Sequence, residues 1–469
     1  MVELGLWAQV LVLLMVAGVV LASGQGSLMH PAIWYLGFHL VVFVLRPILV
    51  HCFGFTAEWD YMIFHPSDAV FVRTLAVSSV GLVVFVGACL IAGWAEVGFS
   101  AREPRALTPV QKRGLLFATL ALLPLVALSI YATRKGINRE LAGAAYIMTD
   151  STGYLNEAQN VMAPLLCLWL VVTRFHRLNV LPIVLYLGYR SWYGWSRWTI
   201  LLFAAMVAVT YCWYHRKKWI PLWSILVAVP VFLLFNVLGH NRELLKSYLE
   251  GKPVKTYESE PGITTLEQIK LRYDGPDFAN FDFLAYLVAV VPERTQDFTY
   301  GLQHLQLFTE PIPRILWKRK PVGAPVKTMN PFEWGNFVGL TITLPGDGWM
   351  TGGWAGLVLT TGLTGVVLGR CHRRFWLAKD RPIFALFYIA GLAMLPQLYR
   401  DGSVVSLMKF LLFTWLPFLP WVGFNWVLGH RRAPEPPVVL APRGNVVLIQ
   451  GQGGNGWANW APRRPSLRR

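Results

Sequence analysis

The chain alternates between long apolar runs and short polar turns over most of its length. Eleven runs read as membrane-crossing helices: residues 4–22, 31–53, 75–95, 114–131, 160–173, 180–189, 198–214, 219–238, 353–368, 382–398 and 404–428. A helix needs about 20 apolar residues to cross a bilayer core. The fifth run opens on polar residues and the sixth is short, so the pattern supports ten to twelve spans. The expectation is an all-α polytopic membrane protein with about 11 transmembrane helices. The first run follows Glu3 rather than a basic stretch and lacks a small-residue cleavage site, so it is expected as a retained helix and not a signal peptide. "LAGAAYIM", residues 141–148, is expected as a re-entrant or interfacial piece.

The polar turns set the orientation. "AREPRALTPVQKR", "RFHR", "HRKKW", "RCHRRFWLAKDR" and the tail after Gly429 hold 21 Lys and Arg, against Glu96, Glu103, Asp380 and Glu435. Alternate turns such as "TAEWDYMIFHPSD" are balanced or acidic. The basic set is therefore expected on the cytoplasmic side. With eleven spans the N-terminus lies outside, the tail inside, and the long stretch 240–352 outside, in the periplasm of a two-membrane bacterium. That stretch carries 12 basic and 13 acidic residues between 240 and 350, and long loops are exempt from the charge rule. It contains "ITTLEQIKLRY", a capped helical pattern, and "FANFDFLAYLVAVVPE", apolar enough to lie against the membrane surface. The organisation read from this is four parts: 1–239 and 353–428 in the membrane, 240–352 as a large structured periplasmic loop, and 429–469 as a Pro- and Gly-rich cytoplasmic tail.

Composition narrows the class. At 55% hydrophobic and 14% charged residues, an ordinary soluble enzyme is excluded. The net charge of +17 follows the turns and tail, which points to membrane lipids as partners and not to nucleic acid. The five cysteines show no paired spacing, so neither a disulfide framework nor a zinc site is expected. No Walker loop, HExxH, GxSxG or dinucleotide fingerprint occurs, and the histidines lack metal-ligand spacing. No metal or other cofactor is expected.

Candidate chemistry gathers at the outer helix mouths. Arg190 and Arg197 precede the seventh run, Arg242 follows the eighth, Arg314 and Lys320 sit in the proline-stiffened "PIPRILWKRKP", and Arg400 lies beside Asp401. Guanidinium groups bind phosphate oxygens in pairs, so such a set suits a lipid pyrophosphate. Arg46 and Lys409 lie within apolar runs, where a cation either faces the bundle interior or reaches out to lipid phosphates. A hydroxyl acceptor would need a general base, for which His304, Glu310, Asp347 and Asp401 are the candidates. Taken singly, each outer arginine also fits an interfacial anchor.

Three stretches, "LYLGYRSWYGWSRWTILLFAAMVAVTYCWYHRKKW", "EPIPRILWKRKP" and "GDGWMTGGWAGLVLTTGLTGVVLGR", resemble the core of Wzy-type O-antigen and capsule repeat-unit polymerases, relatives of O-antigen ligase. The resemblance covers about residues 185–370. It implies a GT-C-like integral membrane glycosyltransferase of the bacterial inner membrane, using neither metal nor nucleotide sugar. Such an enzyme moves a growing glycan from undecaprenyl pyrophosphate onto the non-reducing end of a new lipid-linked repeat unit. By motif position Arg197 and Arg314 match the arginines that hold pyrophosphate, with Arg242 and Lys320 assisting. A chain-length regulator is a further partner in view. The tail after Arg432 is longer than this core requires, and polymerase and ligase share the architecture, so the acceptor stays open. A transferase using a polyprenyl phosphate sugar would draw on Glu58, Asp60 and Asp68. A lipid-linked glycan flippase, or a membrane scaffold, is the reading outside transferase chemistry.

Overall fold

The computed structural model describes residues 1–55, 64–99, 107–134, 139–142, 145–148, 155, 157–192, 197–221, 224, 226, 251, 279–309, 312, 316–317, 341–402 and 404–430. These residues form helices α1 (Val2–Ala22), α2 (Pro31–Phe53), α3 (Asp68–Gly93), α4 (Pro109–Arg134), α5 (Ala158–Val172), α6 (Val180–Trp192), α7 (Arg197–Tyr214), α8 (Asn280–Val290), α9 (Leu344–Ala378), α10 (Pro382–Asp401), α11 (Val404–Trp415) and α12 (Phe418–His430). Among the described residues seven runs are long and apolar enough to cross a membrane: α1, α2, α3, Pro109–Ala132, α9, α10 and Phe410–Leu428. The chain is a helical, multi-pass membrane protein.

The expected spans 160–173, 180–189 and 198–214 are the shorter helices α5, α6 and α7, and span 219–238 falls almost wholly outside the described residues. The last expected span is two helices, α11 and α12, divided ahead of Phe418 by the Leu416–Pro417 turn. Residues 141–142 and 145–148, expected within a re-entrant or interfacial piece, are extended. They belong to a small antiparallel pair, β1 (Arg139–Ala142) and β2 (Ala145–Met148), with Leu141 opposite Tyr146.

Helix faces follow the apolar solvent expected around them. In α1, Leu4, Trp7, Leu11 and Leu14 form one exposed stripe, while Val2, Leu6, Gln9 and Leu13 form the buried one. Both stripes carry apolar side chains, as lipid on one side and protein on the other require. The two longest contact partners, α3 and α9, pack through small residues. A Cβ on Gly365 would lie 2.5 Å from the Phe85 carbonyl oxygen, and one on Gly369 would overlap that of Cys89. Backbone therefore meets backbone, the arrangement that spaced small residues permit in membranes.

The largest departure from a plain bundle is in α9. Gly352 (φ 175°, ψ 42°) and Gly353 (φ 58°, ψ −135°) break it, and residues 344–351 fold back along 354–378. Gly348 closely approaches Gly356, and a Cβ on Gly348 would sit 2.8 Å from the Leu357 Cα. In an unbroken helix residues eight apart would be separated by about 12 Å. Gly81 of α3 accordingly touches both Pro345 and Leu357. The short arm places Leu344, Asp347 and Trp349 inside the protein.

Helix α8 corrects a second expectation. The apolar run after Ala279 does not lie on a membrane surface: every residue from Asn280 to Val290 except Ala289 is buried within the bundle, against α3 and α9. A helix apolar on all sides has no polar face to offer an interface. Its one charge, Asp282, meets Arg46 of α2 at 2.8 Å. Arg46 follows a π-helical turn, Leu40–Leu45, where its own N–H bonds back to the Val41 carbonyl. Pro47, the next residue, has no N–H to continue the regular ladder, and a local widening of the turn takes up that defect.

Candidate functional site

Two helix breaks meet inside the protein. Helix α10 ends at Asp401, capped by Gly402 with φ 69°, whose N–H donates to the Leu398 carbonyl at 2.8 Å. The short arm of α9 begins after Thr343, whose N–H donates to the Arg400 carbonyl at 3.0 Å. A Cβ at residue 402 would overlap the Thr343 carbonyl oxygen and approach the Asp347 Cβ to 3.2 Å, so the junction admits only glycine there. Thr343 itself is held at φ 67°, ψ 157°, a region that side chains other than hydrogen rarely occupy. Its hydroxyl caps the short arm by accepting from the Gly346 N–H at 3.4 Å, and its carbonyl accepts from the Asp347 N–H at 2.9 Å.

The backbone at 343 therefore aims Asp347, and a neighbouring segment brings its partner. Thr299 and Tyr300 donate their N–H groups to the Met350 and Thr351 carbonyls at 2.8 and 3.1 Å, pinning this segment along the short arm. After Gly301 (φ 75°) the turn Leu302–Leu305 presents Gln303 and His304. His304 Nε2 lies 3.2 Å from Asp347 Oδ2. Gln303 Nε2 donates to Asp347 Oδ1 and to the Thr351 hydroxyl, both at 3.1 Å. Asp347 is buried and His304 is one-third exposed. The hydrogen bond to Asp347 raises the His304 pKa above its ordinary value, partial burial opposes that rise, and the carboxylate charge adds to it.

A cationic tract adjoins this pair. The Arg400 guanidinium stacks on the Trp198 ring at 4.6 Å. The next residue, Thr199, accepts from Arg190 Nη2 at 2.7 Å and from Nε at 3.2 Å. Arg190 Nη2 also reaches Asn160 Oδ1 at 3.3 Å. Trp198 and Thr199 are consecutive, so the start of α7 contacts both Arg400 and Arg190. Arg190 is 3% exposed, yet its Nη1 has no hydrogen-bond partner among the described residues. Its hydrogen-bond partners, Thr199 and Asn160, are neutral. A guanidinium buried against hydroxyl and amide groups is left with a charge to neutralise, which an anionic ligand would do.

Of the residues expected from sequence, His304 and Asp347 are paired, and Arg400 and Arg190 each contact the start of α7. Arg46 is instead 1% exposed and paired with Asp282, so its charge serves the packing of α2 against α8. Arg197 opens α7 immediately before Trp198, and Lys409 lies in α11. Glu310, Arg314, Lys320 and Arg242 lie outside the described residues, as do Glu58 and Asp60, while Asp68 is exposed in the first turn of α3. Among the described residues no group of three His, Cys, Asp or Glu side chains is arranged to hold a metal ion. Gln303, Thr343, Trp198, Asn160 and Gln397 were not singled out by sequence reasoning. The Asp in the middle of "FANFDFLAYLVAVV" was the available signal for the Arg46 partner, because a buried cation calls for a carboxylate. Comparison with known protein families, characterised proteins and solved structures finds no match to this chain.

Proposed function

We propose that the protein is an integral membrane glycosyltransferase that extends a glycan carried on undecaprenyl pyrophosphate. The observations that support this reading are the His304–Asp347 pair and the two arginines, Arg400 and Arg190, that contact the start of α7. A base supported by a carboxylate and a buried anion site are the two things a diphosphate-leaving transfer requires.

In this reading a hydroxyl of the acceptor sugar attacks the anomeric carbon of the donor glycan. The new glycosidic C–O bond forms as the C–O bond to diphosphate breaks, and the diphosphate leaves with the bonding electrons. Arg190 and Arg400, joined by Arg197, stabilise the charge that collects there. His304 takes the hydroxyl proton, and Asp347 fixes the ring and stabilises the imidazolium. Arg314, Arg242 and Lys320 remain assistants by the resemblance of their motif, with donor and acceptor both presented at the periplasmic face. Whether repeat units or another glycan accept the chain distinguishes polymerase from ligase.

The test is direct. Purified protein in lipid nanodiscs is incubated with lipid-linked repeat units, without ATP or added metal, and the products are run on a gel. A ladder of lengths supports the polymerase; a product confined to a different acceptor supports the ligase. Substrate moved across a sealed vesicle with no new bond would establish the second reading, a lipid-linked glycan carrier. That reading draws on the breaks at Gly352–Gly353 and Gly402, since discontinuous helices line the central sites of many carriers.

A further inference from the structure

Around the junction of the α10 end and the short arm of α9, several buried acceptor oxygens have no donor among the described residues, alongside the similarly unpartnered His304 Nδ1. Gln397 Nε2 donates to Asp401 Oδ2 at 2.5 Å, and Gln303 Nε2 donates to Asp347 Oδ1 at 3.1 Å. An ionised carboxylate only accepts, so both amide nitrogens are fixed and both amide oxygens must point elsewhere. Gln397 Oε1, Gln303 Oε1 and Asp401 Oδ1 are all buried and accept no hydrogen bond among the described residues. Gln397 is 4% exposed. Gly402 adjoins Asp401, and a Cβ on it would lie 3.2 Å from the Asp347 Cβ, which brings the two Gln–Asp pairs close together.

Three buried acceptors at one junction call for a ligand with several donors. A metal ion is a poor match, because Arg400 Nη1 lies 3.9 Å from Asp401 Oδ1 and no metal-holding group of three is present among the described residues. A neutral ligand rich in hydroxyls fits: each hydroxyl donates to a carbonyl or carboxylate oxygen and can accept from a guanidinium in turn. We infer that Gln397, Asp401 and Gln303 form a sugar-hydroxyl subsite, separate from the diphosphate grip at Arg190. The inference rests on the transferase reading in one respect only, that the sugar it takes is the unit about to be joined at His304.

The probe is the free oligosaccharide released by mild acid from the host's lipid-linked repeat units, which carries neither lipid nor diphosphate. Its binding to purified protein is titrated for the wild type, Gln397→Leu and Asp401→Asn. Undecaprenyl diphosphate is titrated against the same preparations as a control for folding. Saturable binding is expected for the wild type. Each variant should bind the oligosaccharide about tenfold more weakly, the cost of one buried hydrogen bond. Undecaprenyl diphosphate affinity should stay unchanged in Gln397→Leu and should not fall in Asp401→Asn, which removes a negative charge beside Arg400. Equal oligosaccharide affinity in all three proteins, or no saturable binding by the wild type, would overturn the subsite. A wild type that binds the oligosaccharide but forms no glycosidic bond to any acceptor would leave the subsite standing and remove the transferase reading; glycan transfer with no effect of either variant on binding would do the reverse.

Discussion

At the scale of single residues, the site is defined by groups whose local chemistry is incomplete without a partner. His304 depends on Asp347 for its raised pKa, and a general base works only when unprotonated. Transfer should therefore rise with pH through a value above the ordinary histidine range. Asp347→Asn removes the support, so the acid limb of the rate profile should move to lower pH while the maximal rate falls at least tenfold; a limb that stays in place would separate His304 from the rate. Thr343 offers a second test, because its backbone angles favour glycine. Thr343→Gly should raise the melting temperature in detergent, as relief of about 1–3 kcal/mol of strain outweighs a cap loss of a few tenths. Turnover should fall, since Asp347 is aimed by that strained turn. The sequence made some of this legible. His304, Asp347, Arg190 and Arg400 stood out because charged or titratable groups at helix mouths are conspicuous. Gln303, Gln397 and Thr343 did not, because an amide or hydroxyl gains its meaning from what it is pressed against, and that is fixed by chain segments far apart in sequence.

At the scale of elements, the spans were legible where a helix meets lipid and illegible where it meets protein. Apolar length predicted α1, α2, α3 and α4, which present exposed apolar stripes. The same criterion misplaced α8, because a run apolar on all sides looks identical whether lipid or protein surrounds it. The fold-back of α9 was also hidden: "GDGWMTGGW" reads as the mouth of one helix, yet Gly348 and Gly356 bring its two arms together. Two predictions belong here. Gly369→Leu places a side chain where the α3 backbone already lies, so expression of folded protein should collapse, and size-exclusion profiles of the detergent-extracted protein report it. Asp282→Ala should destabilise by about 3–5 kcal/mol, because it strands the Arg46 charge. The double variant Arg46→Met with Asp282→Leu should recover much of that loss in a thermal melt, whereas no recovery would mean the pair does more than neutralise itself.

At the scale of the whole molecule, the bundle uses lipid-facing helices as a wall and breaks two inner helices to place polar backbone and side chains within it. Irregular backbone at such depth is tolerated only where protein or a polar cavity surrounds it. The ends of α10 and of the short arm of α9 satisfy each other through the Thr343–Arg400 hydrogen bond and bring Asp347 close to Gly402. Helix α7 then joins Arg400 to Arg190 through Trp198 and Thr199. The central claim is that this tract releases a diphosphate while its base activates a sugar hydroxyl. The most direct measurement counts undecaprenyl diphosphate released per glycosidic bond formed by purified wild type, Arg190→Ala and His304→Ala. One carrier released per bond in the wild type, with both products lost together in the two variants while the proteins stay folded, is the predicted result. Wild-type release by both variants, or glycan extension with no carrier released, would contradict it.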